Sequence, residues 1–200
     1  MSSKSFGRFQ KNIVGASVLT SHVGNQSLAC SDQSFVDQTY LKAAVAYAVG
    51  CWEGYVESAI REFVSKVRVQ AHRQTWSLIT QFEIMVDKKT SMLNTPNWEK
   101  VRELLIEITG MDVYAGWIWS PKFINQTDTK EFVDGIISVR HAYAHGFDIS
   151  ADIPGLSAPG KLDAAYVKDV ISCIGFLASR TDELLEHELM HRHSCRSGWN

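Results

Sequence analysis

No two cysteines of this chain form a CxxC pair: Cys30, Cys51, Cys173 and Cys195 stand far apart, and their spacing suggests neither a zinc ribbon nor a dithiol redox site. Excess positive charge is also missing. Twenty Lys and Arg against 22 Asp and Glu leave a formal net charge of −2, so no global basic field announces a nucleic-acid binder, and only local basic patches remain open to it. No apolar run approaches the roughly 18 residues that a membrane span requires. The N-terminus has Lys4, Arg8 and Lys11 but no long apolar segment of a secretory signal. These absences imply a cytoplasmic chain with reduced thiols and no membrane association. A phosphate-cradling glycine loop, a serine-hydrolase elbow, an internal repeat of 20–50 residues and a convincing strand pattern are absent as well.

What is present is enough apolar material for one core: 45% hydrophobic and 10% aromatic over 200 residues. Residues 1–34, rich in Ser, Gly, Asn and Gln around a short apolar patch from Ile13 to Leu19, read as an irregular arm. From Phe35 to about Ala71 apolar residues recur at steps of three and four, through Leu41, Val45, Trp52, Val56, Ile60 and Phe63. This predicts one long amphipathic helix. Gly50 and Gly54 interrupt it without ending it, and suit a close helix crossing.

A shorter helix is predicted from Trp76 to about Met85. Thr95-Pro96 reads as the cap and first turn of the next, with the stripe Val101, Leu104, Leu105, Ile108 and a stop at Gly110. The stretch from Met111 to Phe123 has no clear local pattern. Asp128 and Glu131 resemble a capping box opening a further helix, and the last long helix runs from about Asp163 to His191. The expected fold is an all-α bundle of about five helices over residues 35–192, followed by a tail at 193–200.

The chemistry concentrates in Arg140-His141-Ala142-Tyr143-Ala144-His145. The stripe Phe132, Val133, Ile136, Ile137 continues onto Arg140 and then onto Tyr143 and Ala144, placing a guanidinium where a core residue is expected. A charge there needs a partner or a task. Gly146 reads as the helix stop, so His145 falls in the last turn, where the helix dipole favours positive charge. An imidazole can take or give the proton of an RNA 2′-hydroxyl, and an arginine fork can hold the oxygens of the phosphorane that follows. Positions 140 and 145 are about 140° apart around a regular helix, whereas His141 and His145 share a face. Two plainer readings stand beside this one: a structural ion pair of Arg140 with Glu53 or Glu57, and metal binding through His141 and His145.

Ser138 to Gly146 resembles the R-x4-H signature of HEPN domains, with a polar residue after the arginine (His141) and a small one before the histidine (Ala144). The segment Cys51-Trp52-Glu53-Gly54-Tyr55-Val56-Glu57 resembles the long first helix of the RiboL-PSP type of HEPN domain, and the resemblance spans roughly residues 35–192. It implies a helical bundle that dimerises with paired motifs facing a shared cleft. The implied activity is a cofactor-free, metal-independent endoribonuclease that leaves a 2′,3′-cyclic phosphate, acting as a toxin, an antiviral defence effector or an RNA processor. In that scheme RNA is the substrate, Arg140 the phosphate clamp, His145 the acid/base and His141 a polar assistant. An antitoxin or defence-system protein is a further implied partner. Other members of the family are noncatalytic interaction modules. Some HEPN toxins carry a modifiable tyrosine two residues after the histidine; Phe147 stands there in this chain.

Weaker signals remain. Arg68 and Arg73 guide RNA if they lie beside the motif. Lys88-Lys89 and Lys100-Arg102 read as solvated faces. Trp117 and Trp119 read as core or interface rings rather than base-stacking platforms. Cys51 and Cys173 read as inert core thiols. His187, His191, His193 and Cys195 have metal-like residue types at a helix end, where a solvated cationic terminus is the simpler reading.

Overall fold

The computed structural model describes residues 2–24, 32–70, 75–195 and 198–199. Six α-helices make up this part of the chain: α1 (Lys4–Ser21), α2 (Gln33–Gln70), α3 (Trp76–Ser91), α4 (Trp98–Thr109), α5 (Gln126–His145) and α6 (Ala164–His191), with one 3-10 turn at Tyr114–Gly116. An isolated bridge between Ala158 and Lys161 is the single β feature among the described residues. The all-α bundle is as expected.

The 38-residue α2 is the axis of the bundle and touches each of the other five α-helices. Its stripe is buried throughout, from Leu41 and Val45 through Trp52, Tyr55 and Ile60 to Phe63. The largest rings gather around it. Trp117 meets Trp52 and Trp98 edge-on, with centroids 6.0 and 4.8 Å away. Its indole N–H donates to Thr181 Oγ1 at 3.0 Å, satisfying the one polar atom such a ring buries. Trp119 stacks on Phe132 of α5. Trp117 and Trp119 are therefore core residues, as read.

Within residues 1–34, read as an irregular arm, Lys4–Ser21 is helical instead. Ser3 caps α1 through its hydroxyl, which accepts from Phe6 N–H, and Phe6, Phe9 and Ala16 are buried along one face. Polar and small residues on the outer face hid that stripe. In the tail that follows α6, Cys195 and Trp199 are buried against the body. Both ends of the chain converge on Asp182 of α6. Its carboxylate accepts from Ser3 N–H at 2.9 Å, from the Ser3 hydroxyl, and from the Tyr55 hydroxyl at 3.3 Å, while its backbone carbonyl accepts from the Trp199 indole at 3.2 Å.

Three helix boundaries also move. α3 runs on to Ser91. The cap of α4 is Asn97, which accepts from Lys100 N–H, and Pro96 lies outside the helix rather than in its first turn. The cap of α5 is Asn125, accepting from Asp128 N–H, so Asp128 sits inside the first turn where its charge suits the dipole. Gly50 and Gly54 make no close crossing with the described residues. Both are exposed, and a Cβ on either would meet nothing within 4 Å.

Candidate functional site

The site forms where α5 ends. Phe132, Val133, Ile136, Val139 and Ala142 face the core, so the buried stripe drifts away from position 140 as it nears the helix end. Arg140 is consequently half-buried at the rim rather than in the core, and Tyr143 and Ala144 are exposed. That corrects the expected continuation of the stripe onto these three residues. Gly146 adopts a left-handed conformation (φ 69°), and its N–H and that of Phe147 both bond to the Ala142 carbonyl. This closure stops the helix at His145 and turns Phe147 back beside the last turn.

His141 and His145, one turn apart and exposed, bring their ring centroids to 4.3 Å. Phe147 completes the cluster, 6.1 Å from His141 and 5.7 Å from His145, with its ring only 25° from parallel to that of His145. Sequence reasoning assigned Phe147 no contact. The glycine stop was the available signal, because a left-handed residue after a helix folds the next side chain back along it.

Arg140 makes no ion pair or hydrogen bond with the described residues, but Glu53 of α2 lies within its electrostatic reach. Burial raises the Glu53 carboxyl, the Arg140 guanidinium lowers it, and Glu57 raises it again. The closed ion pair with Glu53 or Glu57 is thus not formed. Glu57 pairs instead with Arg61 at 3.7 Å.

Arg68 is not beside this cluster. It bonds to Glu83 of α3 at 2.6 Å, and its position on α2 is about 22 Å along the helix axis from Glu53. Arg73 lies outside the described residues. The lysine and arginine pairs are partly matched: Lys89 with Glu107 at 2.5 Å, and Arg102 with Asp112 through a fork of 2.9 and 2.6 Å. Cys173 is fully buried and burial pushes its thiol far up, and burial also raises the half-buried Cys51, which disfavours the thiolate at both. At the end of α6 the metal-like residues diverge. His187 and His191 meet at 4.1 Å, but His193 turns edge-on to Phe63 and Cys195 lies against the Lys66 carbonyl. No group of three His, Cys, Asp or Glu side chains among the described residues converges on a metal position. None of the described helices is long and apolar enough to cross a membrane.

The family model described as RiboL-PSP-HEPN matches residues 19–187, from the end of α1 almost to the end of α6. The chain belongs to the RiboL-PSP-HEPN family. Neither a curated protein nor a solved structure matches it. The family match covers α2 to α5 in full and α6 as far as His187, including the Arg140-to-His145 segment. Most of α1, which this HEPN chain packs along α2 and α6, precedes the matched segment.

Proposed function

We propose that this HEPN protein is a metal-independent endoribonuclease in which Arg140 and His145 act together on one phosphodiester. In the reaction, a base removes the proton of a 2′-hydroxyl, the O2′–P bond forms and the P–O5′ bond breaks. A 2′,3′-cyclic phosphate and a 5′-hydroxyl remain. His145 exchanges the proton, with His141 as the neighbouring imidazole, and the Arg140 guanidinium holds the non-bridging oxygens as charge builds on them. The observation that carries this reading is the state of the pair. Arg140 has no ion-pair partner among the described residues, and His145 is exposed beside a second imidazole at 4.3 Å. A half-buried guanidinium without a partner is costly to keep for structure alone.

The two groups diverge around one helix by about 140°. A homodimer that faces the ends of two α5 helices supplies the Arg140 of one copy and the His145 of the other to a single RNA strand. A role as a toxin or antiviral effector, held in check by an antitoxin or a defence-system protein, is the cellular setting that fits such an activity.

The second reading is a noncatalytic HEPN interaction module. It is favoured by the proximity of Glu53, which partly neutralises Arg140. Incubation of the purified protein with RNA in EDTA separates the two. The nuclease reading expects cleavage with cyclic-phosphate ends, and no cut where the 5′-side nucleotide is 2′-deoxy. Intact RNA, or cutting that persists at 2′-deoxy positions, rejects it.

A further inference from the structure

Beside the histidine cluster lies a groove of about 470 Å³, within the size range of small-ligand clefts, between the start of α2 and the loop that follows α5. Three aromatic rings line it and are unusually open to solvent: Phe35 (67%), Phe147 (58%) and Tyr143 (42%). Lys42 and Lys161 line it too, and neither ammonium has an ion-pair partner among the described residues. Of the two carboxylates present, Asp32 is engaged in capping α2 through Phe35 N–H at 3.0 Å, which leaves Asp148 exposed at the rim.

The groove is held in shape. The Gln38 side chain donates to the Leu162 carbonyl at 2.8 Å and accepts from Leu162 N–H at 3.0 Å, fixing the loop to α2. Ile149, Ile153 and Leu162 anchor the same loop in the core. Gly160, left-handed at φ 67°, sits so close to the Ile149 carbonyl that a Cβ would lie 3.2 Å from it.

We infer that this groove binds unpaired RNA nucleotides next to the bond cut at His145, with a base stacked on Phe147 and the flanking phosphates held by Lys42 and Lys161. Exposed π-faces and unpaired cations in one groove are the combination that single-stranded nucleic acid recognises, and such stacking tolerates any base. Phe147 joins the two sites, because it lines the groove while its ring stands nearly parallel to that of His145 at 5.7 Å. The placement next to a cut bond rests on the nuclease reading; the binding of unpaired bases does not.

The test measures binding by fluorescence anisotropy with two uncleavable strands: a uniformly 2′-O-methylated single-stranded oligonucleotide, and an abasic strand of the same charge. Phe147→Leu is expected to weaken binding of the base-bearing strand about tenfold, with little change for the abasic strand, and Phe147→Trp to restore it. Wild-type affinity in Phe147→Leu, or an equal loss on both strands, overturns the inference even if the wild type cleaves RNA. Groove-dependent binding by a wild type that cuts nothing in EDTA upholds the binding site and removes the nuclease reading. Failure of the wild type to prefer the base-bearing strand over the abasic one, including occupation of the groove by a protein partner alone, also overturns it.

Discussion

Arg140 is a rim residue whose charge is answered only at a distance. The stripe of α5 drifts with the helical period, so Val139 and Ala142 take the inward positions and the guanidinium reaches the surface beside Glu53. Burial and Glu57 push the Glu53 carboxyl up, and Arg140 pulls it down. Replacing Arg140 by Ala removes that opposing pull, so Glu53 is expected to titrate at higher pH in Arg140→Ala than in the wild type, as followed by carboxyl carbon NMR. An unchanged Glu53 titration would mean that the guanidinium points elsewhere. The residue types of this site were legible in the sequence: an arginine, two histidines and a glycine stop announce a charged helix end. The rim position of Arg140 was not. A four-residue step carried the stripe onto position 140, whereas at 3.6 residues per turn the inward face passes through 139 and 142. The ring of Phe147 depended on a backbone reversal that no periodicity describes.

At the scale of elements, α1 shows how a short polar-looking segment becomes structure. Its buried apolar residues, Phe6, Phe9 and Ala16, are few, and its first turn is held from outside by charge. The half-buried Glu62 carboxylate on α2 accepts from Ser5 N–H at 3.0 Å, from the Ser5 hydroxyl at 2.7 Å and from Lys4 N–H at 3.2 Å. These are free donors at a positive helix end, where an anion is stabilising. Glu62→Ala is expected to cost about 1 kcal/mol and to speed amide exchange in α1 selectively, while α5 and α6 keep their protection. Uniform loss of protection would contradict this docking. Nothing in the spacing of the first 24 residues points to Glu62, because the capping carboxylate comes from a helix 57 residues away. The long α2 and α6 were legible for the opposite reason: their stripes are sustained over many turns, and periodicity alone fixes them.

The whole molecule is closed at Asp182, which holds Ser3 from one end of the chain, Trp199 from the other, and Tyr55 from the central helix. Asp182→Ala leaves the Ser3 and Tyr55 donors without their acceptor, while the backbone carbonyl still accepts from Trp199, and is expected to cost about 3 kcal/mol, measured by urea unfolding. Burial raises the Asp182 carboxyl, against the lowering pull of the Ser3 and Tyr55 hydrogen bonds. A carboxyl raised on folding binds its proton more tightly in the folded state. Its contribution is therefore fullest below the ordinary carboxylate value of about 4 and falls as pH rises through the raised value. The stability gap between wild type and Asp182→Ala should narrow from acid toward neutral pH, and a gap that widens would reverse the assignment.

The same bundle presents one chemically distinctive end, where α5 stops, and the account depends on Arg140 and His145 working there as a pair. The most direct measurement is the single-turnover rate of RNA cleavage in EDTA by the wild type, Arg140→Ala and His145→Ala, each checked for a native circular dichroism spectrum. Either substitution is expected to slow cleavage by about a hundredfold or more. Cleavage by both variants at the wild-type rate would contradict this pairing.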